Sequence, residues 1–190
     1  MRKIIFLLVM LIASITSHAQ FKASPNGIVS EDGKGYYVVE LEGLSAEELY
    51  NRVEKFIISN YRNPNAVASK QPSEMINLHS YSENAFPIRT ILGMKHYANV
   101  DMNIVFRFKD GKVRIDAPSI NNMPCHTLEN SDGVVFCGTK FFTDNTVYLY
   151  DKKGKAKNKK VIELLNSWLT LQITYIIESI KESKSVEDDW

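Results

Sequence analysis

Cysteine is nearly absent: Cys125 and Cys137 are the two in 190 residues. So few cannot staple a disulfide-dense scaffold or fill a cysteine-rich zinc module. A surplus of either charge is missing too, with 23 Lys+Arg against 22 Asp+Glu and a formal net charge of +1. No global charge draws the chain to nucleic acid. The patterns HExxH, CxxC, GxSxG and SxxK do not occur, nor does a phosphate-cradling glycine loop. No two of His79, His96 and His126 stand at i, i+2 or i, i+4 from each other. The sequence therefore nominates no catalytic residue, no metal ligand set and no cofactor.

What is present begins with an export pattern. Arg2 and Lys3 precede an apolar run from Ile4 to about Ile15, and Ser17-His18-Ala19 forms a small-x-small cleavage site. This reads as a signal peptide over 1–19, cut before Gln20, with a periplasmic or extracellular product; an uncleaved anchor is the alternative. No second span follows, so the mature chain is expected to have no transmembrane segment. Cleavage removes Arg2 and Lys3 and no acid, leaving 21 basic against 22 acidic residues. In an oxidising compartment Cys125 and Cys137 are expected to form a disulfide, with about 3 kcal/mol of stabilisation if unstrained. The competing reading is a reactive thiol beside His126.

Residues 20–34 are polar and turn-rich and read as a flexible lead-in. A single α+β domain is expected over 35–182. "GYYVVELEG" (35–43) is β-branched, aromatic and bounded by glycines, as a strand is. The period then changes. Ser45 and Glu48 make a capping box, and Leu49, Val53, Phe56, Ile57 and Tyr61 share one helical face. Pro64 stops that helix, and a loop follows. Strands are expected over 74–82, 86–98, 99–108 and 112–117. Asp110-Gly111 separates the last two as a hairpin turn.

Residues 119–157 read as an insertion with an extra hairpin, built from "GVVFCGTKFF" and "TVYLYD", and a lysine-rich loop over 151–160. The lysines lack interleaved aromatic residues and read as a solvated loop. A long helix from about Asn158 to Glu182 carries a wide apolar face. Residues 183–190 are a charged tail, expected to be mobile. An amphipathic strand set with two helices to cover it makes a two-layer α+β sandwich: a mostly antiparallel sheet with both helices on one face.

"GLSAEELYNRVEKFIISNY" and "FKDGKVRI" also carry a resemblance. Leu44 through Tyr61 and Lys109 through Arg114 resemble a domain-of-unknown-function family with a TATA-binding-protein-like (TBP-like) fold, common in secreted proteins of Bacteroidetes. The resemblance covers roughly residues 35–118. It implies a β-α-β4-α fold and export, and it implies no activity. Phe56 departs from it, standing where members often have tryptophan.

With Asp110-Gly111 as the turn, Arg107 faces Arg114, and Phe106, Phe108, Val113 and Ile115 fall on the other side. The polar side then holds Arg107, Arg114, Asp116, Asp101 and Asn103. Asp116 is placed to pair diagonally with Arg107, and Glu40 could join if its strand lies alongside. This face reads either as a solvated mixed-charge surface or as a shallow surface for an anion or protein partner. Three functions follow. The first is a non-catalytic exported module that binds an anionic ligand or a protein, not nucleic acid, through the open sheet face. The second is an envelope hydrolase with a cleft near Cys125 and His126. The third is an assembly protein that forms a homodimer through the last helix.

Overall fold

The computed structural model describes residues 20–140 and 144–182. The expected signal peptide over 1–19 and the expected tail over 183–190 lie outside the described residues. In chain order the elements are β1 (Phe21–Ser24), β2 (Gly27–Ser30), β3 (Tyr36–Glu40), α1 (Ala46–Asn60), α2 (Pro64–Val67), β4 (Ala68–Gln71), β5 (Met75–Ile91), β6 (Met94–Lys109), β7 (Lys112–Asp116), β8 (Ser119–Asn122), β9 (Val134–Cys137), β10 (Val147–Tyr150) and α3 (Lys159–Glu182).

The alternation from Val100 to Phe108 makes β6 the spine of the main sheet. Its order is β3-β7-β6-β5-β4, and β8 lies against β6 beside β7. Every pairing in this sheet is antiparallel. Val100, Met102, Ile104, Phe106 and Phe108 of β6 are buried, as are Ile76 and Leu78 of β5 and Val113 and Ile115 of β7. Period-two alternation puts these on one face and the intervening polar residues on the other.

Both long helices cover the apolar face. The helix-one capping box forms: the Glu48 N–H donates to Ser45 Oγ, and the Ser45 N–H donates to Glu48 Oε2 at 2.7 Å. The Ala46 N–H donates to Asp110 Oδ1 at 2.9 Å, which fixes the helix start to the hairpin tip. Leu49, Val53, Phe56 and Ile57 then point into the core. Helix α3 buries Leu165, Leu169, Ile173 and Ile180, and its Trp168 packs on Phe86 of β5. The helices meet where Phe56 and Tyr175 pack edge to face. Arg52 Nη1 of α1 donates to the Ile180 and Lys181 carbonyls at 3.1 and 3.2 Å, satisfying acceptors at the end of α3. Each buried Leu or Ile contributes about 1.5–3 kcal/mol to this packing. The architecture is the α+β sandwich expected from the sequence, with a mostly antiparallel sheet.

Several boundaries differ from expectation. Residues 20–34 are not a flexible lead-in: β1 and β2 pair as a hairpin, with Phe21 and Ala23 in the core. The Ala23 N–H donates to Asn166 Oδ1, and the Ala23 carbonyl accepts from Tyr150 Oη in a buried bond of 2.8 Å. The expected strands over 74–82 and 86–98 are instead one strand, β5, and the start of β6. The chain reverses at Leu92-Gly93, whose φ values are 49° and 83°, the turn geometry that matches strand twist. Bulges between Ser82 and Phe86 and between Pro87 and Arg89 shift the register along this long pair. The loop after α1 contains α2 and the edge strand β4.

The expected hairpin in 119–157 is also different. β9 and β10 pair in parallel, Val134 with Val147 and Cys137 with Tyr150. The Asn145 N–H donates to the Asn130 carbonyl, and Thr146 Oγ1 accepts from the Asp132 N–H. These bonds start β10 at the same end as β9. Gly133 has φ of 80°, and a side chain there would overlap the Met123 carbonyl.

The expected disulfide is absent. Cys125 and Cys137 are both free, one buried and one exposed. Cys125 Sγ sits 3.4 Å from Thr127 Oγ1, whereas Cys137 Sγ donates to the Asp151 carbonyl at 3.1 Å. Each thiol is held by a different neighbour.

Candidate functional site

The face of the main sheet opposite the helices carries the polar residues of β3, β5, β6 and β7. One cross-strand row on it runs Met75–Arg107–Arg114–Val38. The hairpin brings the two arginines directly opposite each other, as the sequence register requires. Like charges so placed repel. Asp116, two residues beyond Arg114 on the same face, separates them. Its Oδ2 accepts from Arg107 Nε at 3.0 Å and its Oδ1 from Arg114 Nε at 2.6 Å.

Tyr36, the cross-strand neighbour of Asp116, completes the arrangement. The Arg114 guanidinium lies over its ring, 4.1 Å from the centroid. The two arginine side chains are 51% and 45% exposed, Asp116 only 20%. The carboxylate is thus sunk between the cations. Each arginine uses its Nε on Asp116, and among the described residues the Nη groups of both make no hydrogen bond. Next to them Glu40 pairs with Lys112 at 3.1 Å. Its strand does lie beside β7, and its partner is the lysine.

Further along β6 is a second polar cluster, four residues or roughly 13 Å away by strand rise. His79 Nε2 lies 2.7 Å from Asp101 Oδ1, and Asn121 donates to the same oxygen at 2.9 Å. Asn122 donates to Asp101 Oδ2, and Asn103 donates to Asn121 Oδ1. Partial burial raises the Asp101 pKa, but the bonds from Asn121, His79 and Asn122 outweigh it and hold the carboxyl below its usual range. Asp101 and Asn103, nominated from sequence, fall here rather than beside the arginines.

His79, Asn121, Asn122 and Tyr36 belong to this face and were not nominated. The pairing of His79 with Asn103 depends on the register of the long β5–β6 hairpin. Asn121 and Asn122 arrive on β8, whose four residues show no apolar alternation.

Cys125 and His126, adjacent in sequence, sit in different environments. Cys125 is 3% exposed, and His126 is exposed. The imidazole near Cys125 belongs to His96, whose Nδ1 is 2.9 Å from the same Thr127 hydroxyl. A separate depression of about 470 Å³ is lined by Arg89, Lys140, Tyr148, Asp151 and Lys157, among others. Asp151 accepts backbone bonds from Lys153 and Lys155, which folds the lysine-rich loop into a turn. Among the described residues no group of three or more His, Cys, Asp or Glu is placed to hold a metal ion. No helix among them is long and apolar enough to cross a membrane.

No family model matches the chain, and no curated protein matches it. Among solved structures, the chain is similar to a TBP-like protein from Parabacteroides distasonis ATCC 8503. The match has a TM-score of 0.46 at 12% identity and covers 78% of this chain and 92% of that one. It is also similar to a DUF4468 family protein from Bacteroides ovatus ATCC 8483, with a TM-score of 0.44 at 10% identity, covering 80% of this chain and 87% of that one.

Proposed function

We propose that this protein is an exported, non-catalytic binding module whose open sheet face engages a protein partner through that partner's carboxylates. The observation that carries the reading is the Arg107–Asp116–Arg114 arrangement. Asp116 takes the Nε of both guanidinium groups and leaves their Nη groups toward solvent. Two fixed guanidinium edges suit a carboxylate, and charge-assisted bonds of this kind are roughly twice as strong as neutral ones. Two cations against one anion leave a unit of positive charge that a carboxylate neutralises. Val38 and Met75 flank the pair with apolar surface. The export pattern at Arg2 through Ala19 supports a partner met outside the cytoplasm.

The burial of Cys125 takes support from a thiol hydrolase, because a nucleophile must reach its substrate. The binding reading is tested with a fluorescein-labelled hexaglutamate probe at low ionic strength, comparing the wild type with Arg107→Ser/Arg114→Ser. Saturable, salt-sensitive binding is expected from the wild type. The double variant should bind at least about tenfold more weakly at a nearly unchanged melting temperature. Equal binding by both proteins contradicts the reading.

A further inference from the structure

We propose that β3 is a self-pairing edge, and that two copies of this chain join β3 to β3 into one continuous antiparallel sheet. β3 ends the main sheet and pairs there with β7. The Leu41 N–H donates to the Gly111 carbonyl, and the Gly35 carbonyl accepts from the Ala117 N–H. Residues of that parity face β7. The backbone groups of Tyr36, Val38 and Glu40 therefore face the other way, along an edge with no strand partner among the described residues. A depression of about 560 Å³ follows this edge, lined by Gln20, Ser30, Lys34, Tyr36, Tyr37 and Val38. Gln20 adds to it a buried Oε1 with no partner among the described residues. The depression has room and an acceptor for an incoming strand.

The sequence of the edge, "KGYYVVELE", selects a second copy as that strand. A two-fold axis at Val38 sets Val38 opposite Val38 and Tyr36 opposite Glu40 of the second copy. Those three rows form about six backbone hydrogen bonds from the outward groups. Each Glu40 then approaches the Tyr36 of its mate, over which the Arg114 guanidinium lies. Just beyond the strand the same register brings Lys34 to Glu42 of the second copy, at both ends of the interface. Lys34 already pairs with Asp32 at 2.8 Å, so it would be shared between two carboxylates. On the helix side, Tyr37 is 38% exposed, and it comes against Val39 of the second copy. Gly35, which has no side chain, stands opposite Leu41. Opposite charges meet where Lys34 faces Glu42, Glu40 faces Tyr36, and no like charges stand opposite each other.

A five-residue edge makes a small interface, so the dimer is expected to have a dissociation constant on the order of micromolar. Sedimentation equilibrium of the purified chain from about 5 to 500 µM spans that range. The wild type should show a reversible monomer–dimer equilibrium. Val38→Pro removes the central outward N–H without touching the β7 ladder and should weaken the dimer about tenfold or more, with an unchanged circular dichroism spectrum. Lys34→Glu alone should weaken it, and Lys34→Glu with Glu42→Lys should restore it. The charge swap decides the matter if the proline variant does not fold. A monomer over the whole range overturns the proposal. So does a dimer indifferent to both Val38→Pro and the charge reversal, or one broken instead by Leu171→Ser on α3.

Discussion

Arg107 and Arg114 stand directly opposite each other on β6 and β7, and one carboxylate, Asp116, bonds the Nε of both. Removing that charge leaves two cations facing each other across a ladder. Asp116→Asn is expected to lower stability by about 1 kcal/mol, a figure already discounted because both arginines are half exposed to screening solvent. The loss should shrink in about 1 M salt, where the Debye length falls to roughly 3 Å. Chemical denaturation at two salt concentrations checks it. A variant as stable as the wild type at low salt would show that the pair needs no mediator.

Asp101 gives the fold a pH dependence of known sign. Its pKa in the folded chain lies below the ordinary value because the bonds from Asn121, His79 and Asn122 outweigh its burial. A depressed folded pKa means stability that is present above the unfolded carboxylate pKa and is lost as pH falls through the folded one. The wild type should exceed Asp101→Asn by about 1 kcal/mol near neutral pH, and the gap should close below about pH 4. Thermal melts across that range measure it. A gap that stays constant to the acid end would remove the carboxylate from this role.

The two thiols should report their surroundings. Cys137 is exposed and Cys125 is 3% exposed, and they are not bonded to each other. A thiol reagent added to native protein is expected to label Cys137 at once and Cys125 only as the fold opens. In denaturant both should react. A denatured, unreduced protein that offers no thiol would restore the disulfide.

Much of this was legible in the chain, and the reasons differ by element. Strict alternation on either side of Asp110-Gly111 set the register that makes Arg107 face Arg114 and Phe108 face Val113. Ser45 and Glu48 announced the start of α1 through local bonds alone. The turn at Leu92-Gly93 was hidden, because Leu92 holds a positive φ that leucine rarely adopts. β4 and β8 are four-residue strands without apolar alternation, so their pairing partners define them, not their composition. The parallel pairing of β9 with β10 depends on the bonds of Asn145 and Thr146 to residues far back in sequence. The candidate site divided the same way. The arginine pair with Asp116 followed from one hairpin, whereas His79 and Asn121 joined Asp101 only through long-range pairing.

The binding role of the open face can be read at the two guanidinium groups themselves. In isotope-labelled protein, the side-chain Nε–H resonances of Arg107 and Arg114 are followed by nuclear magnetic resonance as hexaglutamate is added, with hexaglutamine as the uncharged control. Both resonances should move together and saturate with hexaglutamate and stay still with hexaglutamine, because a carboxylate is the group that fits between the free Nη edges. Resonances that stay still with both peptides, or move equally with both, would contradict a carboxylate-binding face.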